Sequence, residues 1–482
     1  MGVVTPAATG VAPGAASPVR VIEGPGLRAD PAALRVLEEG VREADLAAPA
    51  VALPDFHHKG DKEMPSSIAV ATRSTIQPTY SSASLNCGMA LVATDSDRPG
   101  DAAVAEFYRR FRERYPYPPT YRRDLTSAEV IRCAAEGSAF AAERFGVDQE
   151  DVDRVELGGR VELGHLGGTD GVRRQLPWSV RELSRIRFGT IGPSNHFVEL
   201  QEVAEVFDPD AAAALGLAPG QVTLQYHGGG GSLPGELGLL FGRRKRYPRA
   251  VRMQMAVQKP LYHFGRARSV AELRRRRALF FSDAAPAVDR GTPEGDQLML
   301  AAAMAMNYGF AFRLSTYATL RRLLRSCFGA AGSRLVVDTS HNSIYEEEVD
   351  GEAAIVHRHN ACRIFPASER RDHPVFGSTG QPLLVPGTGR TSSYVCIPGE
   401  HPERALNSVC HGAGSVVGQF LRRGISTESA AGGSTLRFAY RSESPARVPH
   451  LDDAGIDAVI ELLRDRGIAR PVVRLRPFAG LT

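Results

Sequence analysis

Strong net charge is missing from this sequence: 58 basic side chains nearly cancel 54 acidic ones, leaving +4 over 482 residues. A protein that lives on duplex nucleic acid by counterion release carries a larger basic excess, so any contact with a polyanion has to be local. Long apolar runs are missing too. The longest, LMLAAAMAM at 298–306, is too short to cross a bilayer, and no membrane segment is expected. Paired cysteines are a third absence: Cys87, Cys133, Cys327, Cys362, Cys396 and Cys410 stand far apart, with no CxxC and no short-loop framework. That spacing reads as reduced thiols in a cytoplasmic protein. Residues 1–20 are rich in Ala, Gly and Pro but lack the basic and apolar regions of a signal peptide, so they read as a disordered lead-in to a folded unit at 21–482.

What is present has ordinary globular balance, 43% hydrophobic and 23% charged, in a chain long enough for one large domain or two. Helix signals are clear in DPAALRVLEEGVREADL, with Asp30 as N-cap and Leu34, Leu37 and Val41 on one face. TSAEVIRCAAEGSAFAAERFG opens on a capping box from Thr126 to Glu129 and is expected to run as one helix to Gly146. A Met/Ala stretch from Asp296 to about Leu324 reads as a buried helix with methionines as core filler, and a last helix is expected over 453–466 before a strand-like PVVRLRPF. Strand-like runs include QVTLQYH with alternating Val222, Leu224 and Tyr226, then SRLVVDTSH, GQPLLVPG and SYVCIPG, while EEEVDGEAAIVHR carries the Asp-Gly turn of a hairpin. Helices and hairpins mix without βαβ alternation, which predicts an α+β fold. Two basic runs, 242–249 and Arg274 to Arg277, read as solvated helix faces.

Chemistry-bearing residues lie at the ends of these runs. His227 closes QVTLQYH, His341 closes LVVDTSH, His196 sits in GTIGPSNHFVELQ and Cys87 in SLNCGM. Imidazole and thiolate together suit a divalent transition metal, but residues this widely spread, with no HxxxH-type pair among them, read by themselves more simply as structural hydrogen-bonded histidines and a small buried thiol. HGGGGS at 227–232 and PGTGRTSSY at 386–394 are glycine loops whose N–H groups can turn towards an anion, and NSVCHGAGSV places Cys410, His411 and two glycines within five positions.

Taken in order, LNCGM, GTIGPSNHFVELQ, YHGGGGSLPG, SHNSIYEEEVDG, VHRHNACRIFP, GQPLLVPGTGRTSSYV and SVCHGAG resemble the motif series of the RtcB family of RNA ligases, from about Leu53 to the C-terminus. The resemblance implies one large α+β domain around a central metal and nucleotide cleft, using two Mn2+ ions and GTP to join an RNA 3′-phosphate or 2′,3′-cyclic phosphate to a 5′-hydroxyl. It makes His411 the nucleophile that forms a guanylyl-histidine. It makes Cys87, His196, His227 and His341 the metal ligands, with Cys87 bridging both ions. Asn195, His196, Phe197, Glu199, His341, Asn342, Pro386, Gly387, Thr388, Gly389, Ser393 and the backbone of His411, Gly412, Ala413 and Gly414 are implied to meet the nucleotide. Glu199 would accept hydrogen bonds from guanine. A helper protein for guanylylation is a further implied partner. Cys410 has no assigned role.

The sequence departs from the family pattern near the implied site. Ser84 stands where the family has a carboxylate ligand, so one ion instead of two is compatible with the ligand set. His359 replaces a lysine, Ser415 replaces an arginine, the glycine loop lacks an arginine, and RPFAGLT lacks the lysine that packs on guanine; Arg390 can return one charge. Two alternatives to RNA ligation stay open: guanylyl transfer to a small-molecule acceptor, and a non-catalytic nucleotide- or RNA-binding protein.

Overall fold

The computed structural model describes residues 17–60, 63–193, 196–242, 249–282 and 286–482. Most of the basic run 242–249 therefore lies outside the described residues, as does Asn195.

Two sheets organise the α+β fold. The larger joins, in spatial order, Leu383–Val385, Ser393–Pro398, Ala469–Leu481, Phe197–Val206, Val222–Gly228, Gly88–Ala93 and Arg334–Ser340, with the hairpin Ser434–Ala439 and Ser442–Pro449 added beside Ala469–Leu481. The smaller runs Val19–Val21, Ala50–His57, Ser66–Thr72, Glu352–His359, Asn342–Val349. The predicted hairpin is there, and its Asp350 and Gly351 turn both have positive φ, 51° and 82°, as a two-residue turn between twisted strands requires.

QVTLQYH does form a strand, but every residue of Val222–Gly228 is buried, so its apolar alternation does not mark a wet face. Core clusters pack against both faces of the sheet, so Gln225 and His227 are buried along with the apolar residues between them.

The core helix spans Pro293–Phe328, longer than the Met/Ala stretch alone predicts, and is buried through almost all of its length to Leu320. Thr292 caps it by accepting from Gly295 N, and Gly329 ends it in the left-handed region. Met299, Met304 and Met306 fill core space as expected. The first helix, Pro31–Val41, begins at the Asp30 cap. The last is Ala454–Asp465 and leads into the strand Ala469–Leu481.

One expected helix is two. Ser127–Glu136 keeps the Thr126/Glu129 capping box but stops at Gly137, whose φ is 59°, and Ser138–Phe145 starts afresh in a new direction. A Cβ at Gly137 would lie 2.2 Å from the Gly159 carbonyl oxygen. The break lets the chain approach that loop, a tertiary demand invisible in a helical period. The run Arg274–Arg277 is only half solvated: Arg276 is buried, and it and Arg275 pair with buried Glu294.

Candidate functional site

Strand register brings the separated ligand candidates together. Val222–Gly228 is antiparallel to both neighbours, pairing His227 with Phe197 on one side and with Met89 on the other. Gly88 pairs in turn with Ser340. His196, Cys87 and His341 flank those strands by one residue, so all four side chains emerge at one end of the large sheet. His341 also joins the two sheets, since Asn342–Val349 begins the next strand.

The Cys87 Sγ lies 3.3 Å from His227 Nε2 and 3.6 Å from His196 Nε2. Ring centroids are 5.0 Å apart for His196 and His227, and 5.0 Å for His227 and His341. Donor atoms of Cys87, His227 and His341, all buried, fall within 4.8 Å of one another. Burial pushes the Cys87 thiol up to about 12, against the pull of nearby Arg313, and burial depresses His341 well below its ordinary value, with His411 and His227 adding to the shift. Buried His341 Nδ1 has no hydrogen-bond partner. A buried thiol, neutral imidazoles and an orphaned ring nitrogen fit a transition-metal dication, whose binding would displace the thiol proton.

His411 arrives from another element. Ala361–Arg363 pairs with Ser408–Cys410, His411 N donates to Asn360 O at 3.1 Å, and Ala361 N donates to His341 O at 2.9 Å. These bonds set the His411 ring 4.7 Å from that of His341. Burial lowers His411 to about 3, with His57, Lys59 and His359 adding to the shift, so the ring is neutral and its lone pair available near pH 7. Its Nδ1 is also buried without a partner.

A cleft of about 480 Å³ opens over these rings. Phe197, Glu199, His227, Pro386, Gly387, Thr388, Gly389, Ser393, His411, Gly412 and Gly414 all line it, gathering most of the residues that the sequence pointed to. Asn342 is used differently. Its Oδ1 accepts from Asn360 N at 2.9 Å and its amide donates to Ser84 O, bracing backbone instead of facing the cleft. Within 411–414, His411 N donates to Asn360 O and Ala413 N to Pro386 O, while Gly412 and Gly414 line the cleft. Arg390 lines an adjoining cavity of about 310 Å³, where its Nε donates to Pro449 O. His359 faces away from this cleft, with Nδ1 3.0 Å from Pro65 O.

Sequence reasoning missed Asp55, His57 and Lys59, which line the same cleft. Buried Asp55 accepts from Val416 N at 3.0 Å, at the start of the helix Gly414–Arg422; burial nonetheless raises its carboxyl to about 7. A carboxylate, an imidazole and a lysine in LPDFHHK, closing an apolar run, were the available signal. No described helix is long and apolar enough to cross a membrane.

Comparison with known proteins agrees with this geometry. The family model described as "tRNA-splicing ligase RtcB" matches residues 41–481. The chain is 29% identical over 372 residues to the tRNA-splicing ligase RtcB of Pyrococcus furiosus, covering 71% of this chain and 34% of that relative. It is 30% identical over 356 residues to the RNA-splicing ligase RtcB of Mycobacterium tuberculosis, covering 71% and 74%. With the tRNA-splicing ligase RtcB of Thermococcus kodakarensis the identity is 26% over 427 residues, covering 82% and 79%. The chain thus spans about a third of the length of the Pyrococcus furiosus relative. With a match over nearly the whole chain and a metal-capable cluster at the end of the large sheet, the chain belongs to the RtcB family.

Proposed function

We propose that this protein is an RNA ligase that uses GTP and Mn2+ to join a 3′-phosphate or 2′,3′-cyclic phosphate end to a 5′-hydroxyl, through a guanylyl group carried on His411. Residues 21–482 act as one catalytic domain. The observation that carries the reading is the neutral His411 ring set 4.7 Å from His341, at the edge of the Cys87, His227 and His341 cluster and open to one cleft.

Cys87, His196, His227 and His341 would hold the metal, which when bound neutralises charge on the phosphate oxygens of the nucleotide. The other steps belong to the chain. Glu199, at the cleft wall, accepts hydrogen bonds from guanine N1–H and its amine, and Phe197 with the 386–389 loop confines the nucleoside. A His411 ring nitrogen attacks the α-phosphorus; the N–P bond forms as the bond to pyrophosphate breaks. Lys59 and His57 line the same cleft and attract the departing and incoming phosphates. Water first opens a 2′,3′-cyclic end to the 3′-phosphate; an oxygen of that 3′-phosphate then takes the guanylyl group as the N–P bond to His411 breaks, and the 5′-hydroxyl attacks the 3′-phosphorus, giving up its proton as GMP leaves.

Ser415, which stands where the family pattern has an arginine, lines the cleft beside His411, and with that cation gone a small phosphorylated molecule as acceptor is the second reading. The test is incubation with α-labelled GTP and Mn2+, followed by acid and alkali treatment. An acid-labile, alkali-stable adduct that disappears in His411→Ala is expected. Absence of any adduct with every divalent metal tried overturns the catalytic reading. Ligation of a 3′-phosphate oligonucleotide to a 5′-hydroxyl oligonucleotide then separates RNA from a small acceptor.

A further inference from the structure

The buried pair Arg313 and Asp338 lies behind the ligand cluster. Arg313 comes from the long helix Pro293–Phe328 and Asp338 from the strand Arg334–Ser340; both are essentially without solvent exposure. The guanidinium addresses the carboxylate through two nitrogens, Nε to Oδ1 and Oδ2 at 2.8 and 3.0 Å and Nη2 to Oδ1 at 2.5 Å. A fork of this kind fixes direction as well as distance.

Its remaining bonds run to the segments that carry the donor atoms. Nη1 donates to the backbone oxygen of Asn86 and, at 2.8 Å, to Asn86 Oδ1. Asn86 precedes Cys87 and has φ of 56°, the left-handed region that asparagine adopts more readily than other non-glycine residues. The Asn86 amide also donates to Met306 O on the long helix. Gly88 follows Cys87, and a Cβ there would lie 2.7 Å from Arg313 Cζ, so the loop is pressed against the guanidinium from both sides of the thiol. On the neighbouring strand, the Tyr226 hydroxyl donates to the main-chain oxygen of Arg313 at 3.1 Å, one residue before His227, and the Arg313 Cγ lies 3.8 Å from where a Cβ on Gly228 would stand, one residue after it. Asp338 stands three residues before His341, whose N donates to Cys87 O at 2.9 Å. The ion pair thereby borders the chain beside Cys87 and lies three residues before His341 on one strand, and the Arg313 side chain passes beside Gly228, the residue after His227.

We propose that the Arg313–Asp338 pair is a positioning device that sets the spacing of Cys87, His227 and His341 for a divalent transition metal. It rests on the reading of that cluster as a metal site. Arg313 touches no substrate; its side chain acts through Asn86, Asp338 and its packing beside Gly228, while the Tyr226 bond is to its main chain and is kept in both variants.

Co2+ added to the full chain is the probe, because thiolate ligation gives a near-ultraviolet charge-transfer band and the visible bands report coordination geometry. Two variants are compared after circular dichroism establishes that they fold. Arg313→Met combined with Asp338→Leu removes both charges together and so avoids a lone buried ion. Arg313→Lys keeps the charge but loses the fork. The double variant is expected to melt near the parent temperature yet bind Co2+ about 10–100-fold more weakly, with a diminished charge-transfer band, and Arg313→Lys is expected to fall between. A folded variant with the parent's Kd and spectrum overturns the proposal, as does failure of both variants to fold, which makes the pair a determinant of folding alone. A parent that binds no Co2+ overturns the metal reading and the positioning role with it, an outcome distinct from a parent that binds and variants that match it.

Discussion

Glu199 is a carboxyl group enclosed by protein on a strand that has Gln201 two residues on, and Gln201 Nε2 reaches Glu199 Oε1 at 2.7 Å, Gln225 Oε1 at 3.1 Å and Ser393 Oγ at 3.2 Å. Burial raises it to about 8, so in the free protein it holds its proton at neutral pH. Accepting hydrogen bonds from guanine N1–H and the exocyclic amine requires the carboxylate. On the proposed function, nucleotide binding then expels that proton, and GTP affinity is expected to rise with pH up to about 8 and level off above it. The slope is at most about tenfold per pH unit. Calorimetric titration in buffers of different ionisation enthalpy should record more proton release at pH 6.5 in the parent than in Glu199→Gln, which should also bind GTP more weakly at pH 8. A parent whose affinity is flat from pH 6 to 8 would remove Glu199 from the guanine contact.

At the scale of elements, the sequence was most legible where one local signal decides the outcome. Asp30, Thr126 and the Asp350-Gly351 turn each specify a start or reversal by their own hydrogen bonding or φ, and each is found where expected. It was least legible where a distant partner decides. The burial of every residue in Val222–Gly228 depends on what covers both faces of the sheet, and the break at Gly137 depends on Gly159. The site divides in the same way. The His and Cys candidates could be named because their residue types are rare, whereas their convergence needs the register of His227 with Met89 and Phe197. Asp55 and Lys59 were passed over because a carboxylate and a lysine after a strand are commonplace until the helix Gly414–Arg422 is placed on top of them. The Gly137 break gives a prediction at this scale. Gly137→Ala adds a Cβ 2.2 Å from a carbonyl at positive φ, so Ser138–Phe145 has to shift. The expected cost is about 1–3 kcal/mol, read as a lower midpoint in urea, while Gly146→Ala, where φ is 69° but nothing lies within 4 Å, should cost less.

For the whole molecule, the ligand cluster is a junction between distant parts of the chain. Cys87 and His227 belong to the large sheet, His341 links it to the small one, and the Ala361–Arg363 ladder ties in His411. A metal held there binds the folded chain and not the dispersed ligands of the unfolded one, so it should stabilise the protein as a unit. At a free concentration about 100 times Kd the gain is roughly 2.7 kcal/mol, which for a chain of this length corresponds to a rise in Tm of about 3 °C. Scanning calorimetry with chelator and then with excess Mn2+ or Co2+ checks this. The shift should vanish in His227→Ala and His341→Ala and survive in His411→Ala, because His411 is assigned to the nucleotide and not to the metal. Loss of the shift in His411→Ala alone would reverse that assignment and make the nucleophile a ligand.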